Sequence, residues 1–184
     1  MLIPELVARV KFSLNSDRIG PDLPFSHWML HFPSLAKRFC KRKFARFDSS
    51  ASFRPGAYAI ACSKITLGKG VVIRPGTMLF ADPAEGGAGI DIEDYVLIGS
   101  GVHMYTGNHR YMDPGKPIYF QGHEPSASIV LKNGCWIGAN AVILPGVTIG
   151  QNSVVGAGSI VTKSIPPFSV AVGNPAKVIR QIKP

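Results

Sequence analysis

The sequence predicts an all-β chain wound as a parallel β-helix of hexapeptide repeats, with an N-terminal helical segment and a protruding loop. Three observations predict it. From Leu131 onward an aliphatic residue recurs every six positions, at Leu131, Ile137, Ile143, Ile149, Val155 and Val161. Two residues before each of these from Ile137 on stands a small or slender one: Cys135, Ala141, Val147, Ser153 and Ser159. Glycine follows Ile137, Ile149 and Val155, where a tight corner favours a residue without a Cβ. A period of six matches neither helical spacing nor simple strand alternation; it is a β-helix period, in which each hexad supplies a short strand and a turn.

The same phase appears earlier at Leu67, Ile73 and Leu79, and again at Ile92, Ile98 and Met104. Between these runs it breaks twice. The breaks predict insertions at about residues 80–89 and 105–130, and the second is longer than ordinary connections, which marks it as functional. Before the repeats, Phe25, Trp28, Met29, Leu30, Phe32, Leu35, Phe39, Phe44 and Phe47 are mixed with Lys37, Arg38, Lys41, Arg42, Lys43 and Arg46. This stretch reads as helical and broken near Pro33. The expected division is therefore an N-terminal helical and basic segment over residues 1–50 and a β-helix over residues 51–184.

With 46% hydrophobic and 17% charged residues, 20 Gly and 15 Pro, the composition excludes a disordered chain and fits a turn-rich β protein. The first twenty residues are interrupted by Pro4, Glu5, Arg9 and Lys11, so neither a signal peptide nor a membrane span is expected there. Three cysteines without a CxxC pair indicate neither a disulfide framework nor a cysteine zinc site, and a cytoplasmic location fits. A net charge of +9 attracts anionic partners. No RNA-binding motif accompanies it, so nucleic acid is not expected. Residues 25–47 are instead the candidate for peripheral contact with an anionic membrane at its inner face, through aromatic insertion and basic attraction.

The run WIGANAVILPGVTIGQNSVVGAGSIVTKSIPPFSVAVGNPAKVIR, residues 136–180, resembles the hexapeptide-repeat acyltransferases, above all the maltose, galactoside and surface-polysaccharide O-acetyltransferases. IDIEDYVLIGSGVHMYTGNH, residues 90–109, is similar to the segment that leads to that family's catalytic histidine. The resemblance covers roughly residues 65–182. It implies a left-handed coil, a homotrimer, acetyl-coenzyme A as donor and a sugar or saccharide hydroxyl as acceptor, in the biosynthesis of bacterial surface polysaccharide.

Moving an acetyl group from a thioester to a hydroxyl calls for a base near neutral pH, and histidine suits that task. Of the five histidines, His27 and His31 lie in the aromatic N-terminal stretch, where packing or surface placement is expected. His103 takes an ordinary outward slot. His109, in TGNH at the mouth of the long insertion, matches the family's catalytic histidine, and spacing predicts His103 and His109 on successive faces. Asp82 is the nearest carboxylate one coil earlier, where the family places a group that orients the base; as the residue before Pro83 it is equally a turn former. Gln121, His123 and Glu124 lie in the insertion where acceptor contacts are expected.

The resemblance also carries the family's coenzyme A contacts onto Trp136, Ala139, Ala157, Thr162, Lys163, Lys177 and Arg180. Ala139 would offer its backbone N–H to the thioester oxygen. Lys163, Lys177 and Arg180 would face the nucleotide phosphates. Cys135 sits at a small inward position, where a thiol behaves as a compact hydrophobe rather than a nucleophile. Two other activities share the repeat: N-acylation of a nucleotide-linked amino sugar, and a γ-type carbonic anhydrase. The latter binds zinc through histidines that include a His-x4-His pair, which this chain lacks, so no metal is expected.

Overall fold

In the computed structural model, which describes residues 2–183, the repeats form a prism with three flat faces of short parallel strands. Face one stacks β1 (Arg18–Ile19), β4 (Tyr58–Ile60), β7 (Met78–Phe80), β10 (His103–Tyr105), β13 (Val142–Ile143) and β16 (Ile160–Val161). Its first strand alone runs antiparallel. Face two stacks β2 (Arg46–Phe47), β5 (Ile65–Leu67), β8 (Ile90–Ile92), β11 (Ile129–Leu131) and β14 (Thr148–Ile149). Face three carries β9 (Leu97–Ile98), β12 (Trp136–Ile137), β15 (Val154–Val155) and the hairpin of β17 (Ser169–Gly173) with β18 (Ala176–Gln181). The pair β3 (Ser52–Phe53) and β6 (Val72–Ile73) precedes it, with β6 in contact with β9.

The six-residue period explains this stacking directly. Parallel pairing puts Ala59, Leu79, Met104, Ile143 and Val161 in register on face one, and all five are fully buried. Leu67, Ile92, Leu131 and Ile149 form the same column on face two. Each Leu, Ile, Met or Val in these columns, taken out of water, contributes about 1.5–3 kcal/mol. The small positions are buried as expected: Cys135 and Ala141 are at 0%, and Val147, Ser153 and Ser159 at 1% exposure. The two serines keep their polarity satisfied, Ser153 Oγ donating to the Pro166 carbonyl at 2.6 Å and Ser159 Oγ accepting from Gly173 N–H at 3.1 Å.

Corners leave no room for side chains. A Cβ added to Gly138 would lie 2.4 Å from the Ala157 backbone nitrogen in the coil above. Gly138→Ala is therefore expected to cost about 1–3 kcal/mol, the usual price of overpacking, and to lower the melting temperature by a few degrees or more in calorimetry.

Three helices pack at the start of the coil. The expected break near Pro33 is present, with α2 (Pro24–Met29) on one side and α3 (Pro33–Lys43) on the other. Both begin on proline, which needs no N–H in a first turn. A further helix, α1 (Leu2–Asn15), precedes them, and the spacing of Ile3, Leu6, Val7, Val10 and Leu14 accounts for it. Phe44 leaves α3 to meet the rings of Phe47 and Phe53 at 5.7 and 5.4 Å, and Cys40 joins the same core, so the end coil is closed by helix rather than left open. The first coil strand, β2, lies at residues 46–47, ahead of the expected boundary at residue 51.

Candidate active site

The two phase breaks place two insertions at one edge of the prism. Residues 81–89 follow β7 and residues 106–128 follow β10; these strands are neighbours on face one, and in both cases the chain rejoins on face two. Thr106 anchors the departure, its N–H and Oγ1 both donating to the Phe80 carbonyl, at 3.1 and 3.3 Å.

Beyond it the long insertion folds back on itself. Arg110 N–H donates to the Gly122 carbonyl at 3.0 Å and Glu124 N–H to the Asn108 carbonyl at 2.9 Å. His109 and His123 are thereby directly opposite in a non-hydrogen-bonded antiparallel pair, the geometry that brings side chains closest. Their ring centroids are 4.4 Å apart. A cleft of about 660 Å³ opens between the insertions, lined among others by Phe80, Asp82, Tyr105, His109, His123 and Glu124. His109 is exposed in this cleft. It does not occupy the outward slot of a hexad on the next face, because the chain has already left the coil at that edge.

His103 does occupy an outward slot, on β10, where Nδ1 hydrogen-bonds the Tyr105 hydroxyl at 2.9 Å. Tyr105 stacks on Phe80 with centroids 5.1 Å apart, and Phe80 meets Tyr58 at 5.5 Å. The pattern of histidines and carboxylates does not point to this aromatic wall. Its signal is nonetheless present, since Phe80 and Tyr105 each directly follow an inward residue of the repeat, Leu79 and Met104.

Asp82 performs its turn role and faces the cleft as well. Its Oδ1 accepts from Ala84 N–H at 2.9 Å. The Ser126 hydroxyl first, and then that amide, hold its carboxyl below the usual carboxylate range, with the positive charges of Lys64 and His123 adding to the effect. Glu124 lines the cleft and pairs with Arg110 at 3.7 Å. Gln121 lies elsewhere: its amide braces the insertion, donating to the Asp113 and Lys116 carbonyls at 2.9 and 2.7 Å and accepting from Asp113 N–H at 3.1 Å. His27 is engaged in packing, its Nε2 accepting from Gly56 N–H at 3.3 Å.

The remaining positions lie on face three and at the two edges of face one. Ala139 and Ala157 stack in successive coils at the corner joining face three to face one, where Gly158 N–H donates to the Ala139 carbonyl at 2.8 Å. Trp136 stands beside them on β12, half exposed. Lys177 and Arg180 lie exposed on β18. Thr162 and Lys163 directly follow β16, at the insertion edge. Within one chain the width of face one separates His109 from the Ala139 corner.

Burial pushes the Cys40 and Cys135 thiols up to about 12 and raises Cys62 as well. Such thiols stay protonated and lack nucleophilic character at neutral pH. Among the described residues no group of three His, Cys, Asp or Glu side chains is placed to hold a metal ion.

A coil of stacked hexads is that of a hexapeptide-repeat protein, and the family model for "Bacterial transferase hexapeptide (six repeats)" matches residues 128–163. The galactoside O-acetyltransferase of Escherichia coli (strain K12) is 38% identical over 169 residues, covering 89% of this chain and 77% of that protein. A solved galactoside acetyltransferase in complex with coenzyme A superposes with a TM-score of 0.76 at 32% identity, over 98% of this chain and 82% of the other. A Staphylococcus aureus (strain Mu50) relative is 47% identical over 83 residues, which is 43% of this chain and only 38% of that relative. The chain belongs to the hexapeptide-repeat acetyltransferase family.

Proposed function

We propose that this protein transfers an acetyl group from acetyl-coenzyme A to a hydroxyl of a sugar, with His109 as general base, in the assembly of a bacterial surface polysaccharide. The observation that carries this reading is the insertion cleft, where an exposed imidazole stands beside an aromatic wall of Phe80 and Tyr105, a surface suited to the apolar face of a pyranose. Family membership supports the donor, and with it a left-handed winding of the coil.

In this mechanism His109 takes the proton from the acceptor hydroxyl as that oxygen attacks the thioester carbonyl. The Ala139 N–H stabilises the tetrahedral oxyanion. Collapse breaks the carbon–sulfur bond, and the imidazolium returns its proton to the leaving thiolate of coenzyme A. No acyl-enzyme forms. Asp82, beside His123 in the cleft, orients the acceptor and the imidazoles; His123 and Glu124 contact the acceptor. Trp136, Ala157 and Thr162 line the donor groove, while Lys163, Lys177 and Arg180 receive its nucleotide phosphates.

His109 and the Ala139 corner lie at opposite edges of face one, so a complete site needs a second subunit to bring one edge against the other. A closed homotrimer does this for a three-faced prism. The test is light scattering combined with a transfer assay against sugars, amino sugars and polysaccharide fragments. A trimer that acetylates a hydroxyl is the expected result. A fully active monomer, or transfer to amino groups only, overturns the proposal.

A further inference from the structure

The three helices present a face that the catalytic proposal does not use. On α1, Ile3 is 76% exposed, and Leu6, Val7, Phe12 and Leu14 are exposed with it. Trp28 on α2 is 59% exposed and meets Phe32 edge-on at 4.6 Å, and Leu35 on α3 is exposed too. These large apolar side chains lie next to a strongly basic helix, since α3 ends on Lys41, Arg42 and Lys43 after Lys37 and Arg38, and residues 23–47 contain no Asp or Glu.

Between the helices lies a hollow of about 560 Å³ with apolar walls from Leu14, Met29, Leu35 and Phe39 and with Arg38 and Arg42 on its lining. Lys43 helps to set it, donating to the Leu14 carbonyl at 2.7 Å and so tying α3 to the end of α1. Arg38 and Arg42, four residues apart, share one side of α3. Among the described residues neither guanidinium has a carboxylate partner. An apolar hollow with two free guanidinium groups matches one chemistry, an amphiphile with a phosphate head: the planar forks accept phosphate oxygens while the hollow receives hydrocarbon. Among the described residues no helix is long and apolar enough to cross a membrane, so the contact would lie in the interface plane.

We infer that the outer face of α1, α2 and α3 docks on an anionic phospholipid bilayer, with a lipid phosphate held by Arg38 and Arg42 over the hollow and Trp28, Phe32 and the exposed side of α1 inserted beside it. This goes beyond the catalytic reading and does not depend on it. It narrows membrane contact to a site with named phosphate ligands and adds the first helix to it.

The test is flotation of the full chain with vesicles of phosphatidylcholine alone or mixed equally with phosphatidylglycerol. Binding is expected to the mixed vesicles and not to the neutral ones, and to weaken as salt screens the charges. Arg38→Glu with Arg42→Glu should lower partitioning at least ~10-fold, since each cation near an anionic surface contributes appreciably, and Trp28→Ala with Phe32→Ala should lower it as well. All four positions are exposed, and each variant is to be checked for an unchanged melting temperature and oligomeric state. Failure of the wild type to float, or equal flotation of both variants, would refute the inference. So would conversion of the Trp28→Ala, Phe32→Ala variant to monomers, which would make this face a contact between copies of the chain.

Discussion

His109→Ala is expected to lose about 10²-fold or more in turnover, the usual worth of a positioned acid–base group. The loss should fall on kcat, with the affinity for coenzyme A in calorimetry nearly unchanged, because the imidazole lies in the insertion cleft and the proposed donor contacts lie on the coil. His103→Ala is the internal control. That ring is hydrogen-bonded to Tyr105 on face one, so its loss should loosen acceptor binding and raise KM while the chemical step survives. An undiminished rate in folded His109→Ala enzyme would move the base to His123, whose ring lies opposite.

The second large effect concerns stability. Leu131 is fully buried at the centre of the face-two column, between Ile92 below and Ile149 above. Leu131→Ala removes its contacts and leaves a cavity that a stack held from both sides closes poorly, so a loss of about 2–5 kcal/mol is expected. For a chain of this length that is a fall of roughly 4–20 °C in melting temperature. The same change at Leu97, 61% exposed on face three, should cost little. Chemical denaturation of the two variants compares them, and equal effects would mean that inward and outward slots do not differ as the register implies.

Much of this molecule is readable without coordinates. Six-residue spacing depends only on which side chains can enter a narrow interior, so Leu131, Ile137, Ile143, Ile149, Val155 and Val161 identified the inward column of each face, and breaks in that spacing located both insertions. The pairing of His103 with His109 by spacing failed for the same reason the rest succeeded: periodicity governs only residues inside the coil, and His109 lies past the point where the chain leaves it. Helix α1 falls within the helical segment expected over residues 1–50, and the apolar spacing of Ile3, Leu6, Val7, Val10 and Leu14 is the signal for it. The aromatic wall was partly so, through the slots of Phe80 and Tyr105.

The sequence by itself determined the repeat and its insertions, because those follow from local volume and corner geometry, and the family resemblance supplied the roles expected at the cleft. Only the tertiary structure decided which of those groups meet. Residues fourteen apart, His109 and His123, face each other because two backbone hydrogen bonds fold the insertion back on itself. Asp82 reaches the same cleft because β7 and β10 are stacked neighbours. Gln121, equally close in sequence, is turned to the loop's own carbonyls. The width of face one, finally, holds the Ala139 corner away from His109, a separation across the prism that no spacing along the chain expresses.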